Sequence, residues 1–242
     1  TFSEQVEQVQ PVLAQGLGLS RGEHRSDLAA HLGWADFLRS RDGVAAPNPV
    51  PMFKTALADD PGNVYAHAMW AHNLSWTTRE LNEAVLEHFA AAAKSTRDRP
   101  WLRGIQFSVA FNRGAHYGYA LVVADQMRVA GETPDAAQRD LLWRYLVDGP
   151  LIQPQERDDV LNRLPPDSAL ATFEWLYPAA QTVADRQPLH RFTLALLRSR
   201  VGQRDAARSD LESLHRQFVA EKMDSRLSRA TAQLLAELRK PA

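Results

Sequence analysis

The sequence predicts an all-α protein built from stacked antiparallel helical hairpins, about thirteen helices in all, and three observations point there. Apolar residues recur at i, i+3, i+4 and i+7 from end to end, while the period-2 alternation of a half-buried strand is almost absent. The segments between the periodic stretches are short, which forces consecutive helices to lie antiparallel. At residues 53–70 one amphipathic segment stops at Asp60-Pro61-Gly62 and another begins at once. A hairpin joined in this way must stack on neighbours to bury its faces.

Taken in order, Ser3 can cap a first helix running to about Gly16, and a second helix is expected over 24–41, with Leu28, Leu32, Ala35 and Leu38 or Arg39 along one stripe. Asp42-Gly43 ends it. The link Ala46-Pro47-Asn48-Pro49-Val50-Pro51 places its last proline in the first turn of a helix over 52–59, where a missing N–H costs nothing. Asp60-Pro61-Gly62 turns the chain into a helix over 64–76. Thr77 and Glu80 have capping-box spacing, which predicts that the next helix opens there and reaches about Ser95. Glycines and prolines then divide the chain into helices near 99–113, 118–130, 134–147, 154–164, 167–183, 187–201, 203–220 and 224–239.

The 242 residues are 45% apolar and 24% charged, ordinary for a globular chain and unlike a disordered one. With 28 basic and 29 acidic residues the net charge is −1, so no global field suits nucleic acid. The charge is uneven. Residues 186–242 carry net +6 and the remainder −7, which reads as a solvated helix face opposite an acidic neighbour, or as a docking patch for an acidic partner. No cysteine occurs, which excludes disulfides, zinc ribbons and thiol catalysis. The longest apolar runs, such as Tyr119 to Ala124, fall far short of the roughly 20 residues needed to span a bilayer. Starting at Thr1 without an initiator Met, the chain suggests a processed protein or a soluble fragment of a longer or membrane-anchored one, in the cytoplasm or periplasm.

The punctuation around the Asp-Pro joint resembles tetratricopeptide repeats, whose 34-residue helix–turn–helix unit sets large, small and aromatic residues at fixed offsets and closes near a proline. In a unit over 28–61, Leu32-Gly33 resembles the Leu-Gly pair of the first helix, Ala56 the late small residue, Phe53 the late aromatic and Pro61 the closing proline. The spacing from Gly33 to Pro61 is four residues too long, an excess that the Pro47–Pro51 link absorbs, and Pro49 falls where the family prefers a small helical residue. A unit over 64–95 has Trp70-Ala71 at the Leu-Gly position, Leu74 at the next aromatic position and Leu81-Asn82-Glu83-Ala84 similar to the second-helix opening, with one extra residue in its turn. A third, over 188–221, carries Leu194-Ala195, Gly202, Ala207, Leu211 and Leu214 without a gap. Between 99 and 185 the pattern dissolves into degenerate hairpins. The resemblance implies one right-handed α-solenoid domain over 1–242, TPR-like, acting as a binding scaffold whose first helices line a concave groove.

Projected onto that pattern, Tyr65, Met69, His72 and Trp76 share the inward face of one helix, with Arg79 just beyond, and Arg103, Gln106 and Arg113 come from the next hairpin. Amphipathic aromatics and forked guanidinium groups in a groove suit an extended peptide or a partner helix. Each also has a plainer use: Trp76 can cover a loop and Arg103 can pair with an acid nearby. Catalytic signatures are missing: there is no Gly-x-Ser-x-Gly, no phosphate loop with Lys, no His-Glu-x-x-His and no dinucleotide fingerprint. The adjacent pairs Asp59-Asp60 and Asp158-Asp159 point apart on a helix, so neither is an acid/base couple. His67 and His72 are five residues apart, not the three or four that align two metal ligands. His116 beside Tyr117 and Tyr119 reads as packed or capping.

The expectation is therefore a protein- or peptide-binding scaffold that is not an enzyme, uses no cofactor or metal, binds no nucleic acid, and in this Ala- and Arg-rich, bacterial-type sequence serves as the recognition module of a larger regulator. The alternative is a small-ligand sensor, with Trp101, Phe107, Phe111, Tyr117 and Trp143 lining an apolar pocket in helices 99–147. A helical enzyme without a recognisable motif and an oligomerising element stand behind these two.

Overall fold

The computed structural model describes residues 2–94, 99–112, 116–133, 159–178 and 188–240. Every element among the described residues is helical and none is a strand. By its internal contacts the chain divides into two compact units, Thr1–Gly114 and Ala115–Ala242.

The first unit holds α1 (Phe2–Leu19), α2 (Gly22–Arg41), α3 (Val50–Asp59), α4 (Val64–Thr78), α5 (Glu83–Ala93) and α6 (Pro100–Asn112). Helix α2 packs on α1, α3 and α4, and α4 packs on α2, α3, α5 and α6. The approach of α2 to α3 depends on a missing side chain. A Cβ at Gly33 would stand 3.1 Å from both Met52 Cβ and Phe53 Cε1, and Phe53 is wholly buried. Ala29, Ala30, Ala56 and Ala66, all at 0% exposure, extend this close contact from α2 across α3 to α4. The larger core side chains of this unit include Phe53, Met69, Val85, Phe89, Leu102 and Val109, and Phe37 of α2 is buried as well.

The Asp60–Asn63 joint is held by hydrogen bonds that its own residue types supply. Asp60 is extended before Pro61, the conformation that a following proline favours, and its Oδ1 accepts from Gly62 N at 2.9 Å. Asn63 caps α4 by accepting from Ala66 N at 2.8 Å. Its Nδ2 donates to Ser26 Oγ and to Asp27 Oδ1, both at 2.8 Å, and Ser26 Oγ donates to the Ala56 carbonyl at 2.8 Å. The Arg25 guanidinium NH1 reaches both Asp59 carboxylate oxygens at 2.8 and 2.7 Å. The first turn of α2 is thus tied to the turn between α3 and α4. At the other end of α2, Gln10 of α1 donates to Asp36 at 2.7 Å and accepts from Arg39 at 2.7 Å. Burial pushes the Asp36 carboxyl above its ordinary value against the lowering effect of Gln10 and Arg39.

The boundary between α4 and α5 differs from the predicted one. Helix α4 does not stop before Thr77; it runs through Thr78 and is closed by Arg79 in the left-handed region, φ 59°. Thr77 Oγ1 donates back to the Asn73 and Leu74 carbonyls, so it does not face forward to cap a new helix; Thr78 Oγ1 also donates back to Leu74 and accepts from Glu80 N at 3.3 Å within the turn that closes α4. The cap of α5 is Asn82, whose side chain accepts from Val85 N at 3.2 Å. Helix α1 also continues past Gly16 to Leu19, and α5 ends at Ala93 rather than Ser95.

The second unit holds α7 (Tyr117–Val129), α8 (Pro166–Leu176), α9 (Pro188–Arg200), α10 (Arg204–Ala220) and α11 (Arg226–Arg239). Successive pairs α7 with α8, α8 with α9, α9 with α10 and α10 with α11 pack together, and α9 also meets α11. Polar clips pin them: Thr172 Oγ1 donates to Asp125 Oδ1 at 2.9 Å, Arg198 pairs with Asp210 at 2.8 Å, and Ser225 and Ser228 form a reciprocal capping box on α11. Helix α8 ends at Leu176, seven residues before the predicted position 183, where Tyr177 precedes Pro178, a position that disfavours helical backbone. The expected helix over 134–147 lies outside the described residues, as do residues 154–158 of the one over 154–164.

Candidate functional site

Helices α2, α4 and α6 present aromatic rings to one another across the first unit. The α4 stripe Tyr65, Met69, His72 and Trp76 follows from steps of four, three and four residues, which keep one helix face. Tyr65 stacks on His31 of α2 with centroids 4.2 Å apart and planes 9° from parallel, and its other neighbour is Trp101 of α6 at 5.9 Å. Two turns further on, His72 lies 5.2 Å from Trp34 and 5.5 Å from Phe37, and Trp76 meets Phe37 edge-on at 6.1 Å. Rings held by rings on neighbouring helices have lost their rotamer freedom before any ligand arrives.

The structure sorts the predicted groove residues by depth. Met69 and Gln106 are buried, at 3% and 7% exposure, and Met69 belongs to the core rather than to a surface. Tyr65, His72 and Arg103 are half-buried, while Trp76 keeps 37% of its surface exposed and Arg79 is exposed at the end of α4. Arg113 lies outside the described residues. Of the alternative pocket, Trp101 is 38% exposed and joins the aromatic face beside Tyr65, whereas Phe107 is buried at 3%. The side chains of Phe111 and Tyr117, and all of Trp143, lie outside the described residues.

Sequence reasoning missed His31, Trp34 and Phe37 as contributors. Their i, i+3, i+6 spacing was there to find, but Leu28, Leu32, Ala35 and Leu38 gave α2 a plainer core stripe and drew the face toward it. Electrostatically the face is quiet: burial raises the Tyr65 hydroxyl to about 12, so it stays a neutral hydrogen-bonding phenol at any physiological pH.

Behind the face, on the side of α4 that meets α5, His67 and His88 bring their Nδ1 atoms to 2.8 Å. His67 Nε2 lies 3.0 Å from the Pro61 carbonyl oxygen, which can only accept, so that nitrogen carries a proton. In the tautomer with both rings uncharged, His67 Nδ1 accepts from the Nδ1–H of His88. Burial, and next the neighbouring His67, lower His88 to about 4, and its ring packs at 4.4 Å from Trp70. Two imidazoles are not enough to hold a metal ion, and among the described residues no group of three or more His, Asp or Glu converges on one point. No described helix is long and apolar enough to cross a membrane.

Compared with known proteins, the chain matches no protein-family model, no curated protein and no solved structure.

Proposed function

We propose that the protein is a non-catalytic peptide-binding scaffold and that the face made by α2, α4 and α6 is its recognition surface. The observation that carries this reading is the run of rings across three alternate helices, from His31 and Trp34 through Tyr65, His72 and Trp76 to Trp101, with two tryptophans more than a third exposed at its margins. An exposed indole beside a fixed ring offers large apolar area, and its own ordering is already complete. The packing of α2 on α4, α4 on α6 and α9 on α11 supports a diverged right-handed solenoid of tetratricopeptide-like hairpins, in which alternate helices lie side by side. The occupant is an extended peptide or amphipathic helix with apolar or aromatic anchors, which fill the spaces between the indoles.

The test is selection of a displayed random-peptide library on the protein, with counter-selection against a Trp76→Ser, Trp101→Ser double variant of matched thermal stability. The reading expects enrichment of sequences that share spaced apolar anchors and fail to bind the double variant. Enrichment that survives the double substitution contradicts it.

A further inference from the structure

A second feature opens beside the aromatic face and stands independently of the peptide reading. Between the Asp60–Val64 turn and the facing ends of α5 and α6 lies a cleft of about 710 Å³, lined by Asp27, Asp60, Asn63, Tyr65, Lys94 and Arg99 among others. Among its described lining residues, the carboxylates are already engaged: Asp60 accepts from Gly62 N and Asp27 from Asn63 Nδ2. The cations are not. Among the described residues, neither Lys94 nor Arg99 takes part in a side-chain hydrogen bond or ion pair, and the Nε of Arg99 is shielded from solvent with no acceptor. A guanidinium N–H withdrawn from water and left without an acceptor is uncommon in a folded protein, and calls for an oxygen that fits it.

The cleft also receives the N-terminus of α4. Asn63 satisfies only Ala66 N, so the first-turn N–H groups of Val64 and Tyr65 have no acceptor within the helix, and their dipoles favour negative charge at this spot. Tyr65, kept neutral by burial, adds a phenol to the wall.

We infer that this cleft is a binding site for the oxyanion of a small ligand, a carboxylate or phosphate, held by the Arg99 fork, the Lys94 ammonium and the first-turn N–H groups of α4. The planar fork of Arg99 fits two oxygens of either group side by side. Lys94 supplies a point charge. The cleft is several times larger than the bare anion, and the Tyr65 ring at its side, in contact with Trp101, gives the organic part of the ligand an apolar wall.

Inorganic phosphate, benzoate and phenyl phosphate are the probes, titrated at constant ionic strength with chloride as the reference salt and read from the amide resonances of Val64 and Tyr65 and the Arg99 Nε–H. The site predicts saturable shifts with phosphate or benzoate, and tighter binding of phenyl phosphate than of phosphate. Saturation by benzoate but not phosphate assigns a carboxylate ligand; the reverse assigns a phosphate. Arg99→Gln and Lys94→Gln each weaken binding at least tenfold. Asp60→Asn keeps an oxygen for Gly62, removes a negative charge from the lining, and tightens binding. Arg99→Lys, which keeps the charge and loses the fork, guards against a folding defect and falls between wild type and Arg99→Gln. Shifts that never saturate, or that survive Arg99→Gln undiminished in a folded protein, overturn the assignment.

Discussion

Gly33 of α2 lies against Phe53 of α3 so closely that a Cβ on the glycine would stand 3.1 Å from the ring. Phe53 is fully buried and cannot swing away. Gly33→Val therefore destabilises the first unit by about 1–3 kcal/mol through overpacking. Gly33→Ala costs less, because the helix gains roughly 1 kcal/mol of propensity in return. Urea unfolding followed by circular dichroism measures both, and a neutral valine would show that α2 and α3 do not pack this closely.

Asn63 does two jobs from one side chain, capping α4 and bonding Ser26 and Asp27 across to α2. Asn63→Ala removes a cap and the donor to Ser26 Oγ and Asp27, while Ser26 keeps its bond to the Ala56 carbonyl, for a combined loss of about 2–4 kcal/mol. Asn63→Asp keeps the cap and loses the donor, so it lies between the two, with like charge against Asp27 adding to the cost.

The boundary between α4 and α5 yields a paired comparison. Asn82→Ala costs about 1 kcal/mol, the usual value of a lost N-cap, whereas Thr77→Ala stays within about 0.5 kcal/mol of wild type because its hydroxyl only back-bonds within α4. Reversal of the two effects in thermal unfolding would restore the cap at Thr77.

His88 predicts a pH dependence with a definite sign. Its folded value of about 4 lies below the ordinary 6.5, so between those limits the unfolded chain binds a proton that the folded chain refuses. Stability is complete above pH 6.5 and falls as the pH drops toward 4. His190, lowered to about 4 by burial, acts in the same direction in the second unit. In His88→Phe the urea midpoint of the first unit changes less across this window; an unaltered slope would show that His88 is not held neutral.

Part of this was legible and part was not, for physical reasons. The Asp60–Asn63 joint could be read because proline and an N-capping residue act locally, and α4 could be assigned one face because its aromatic spacing is unbroken. Depth could not be read. Met69 and Trp76 occupy the same stripe, yet one lies in the core and the other at the margin, because depth depends on where α2 and α6 fall across α4. The cap at Asn82 was missed because Thr77 and Glu80 match a sequence pattern that two hydroxyl back-bonds override. Lys94 and Arg99 escaped notice because they matter only through a cleft formed with a turn some 30 residues away, and no spacing rule reaches that far.

The measurement closest to the central claim is the affinity of a library-selected peptide, by fluorescence anisotropy, for wild type, Trp76→Ala, Trp101→Ala and Leu86→Ala. Leu86 is the control, an apolar side chain on α5, 38% exposed and outside the aromatic face. If the face recognises peptide, each tryptophan variant loses about 2 kcal/mol or more of binding, some thirtyfold, as truncated aromatic anchors do, while Leu86→Ala binds like wild type. Equal affinities across all four proteins, or a loss confined to Leu86→Ala, would contradict it.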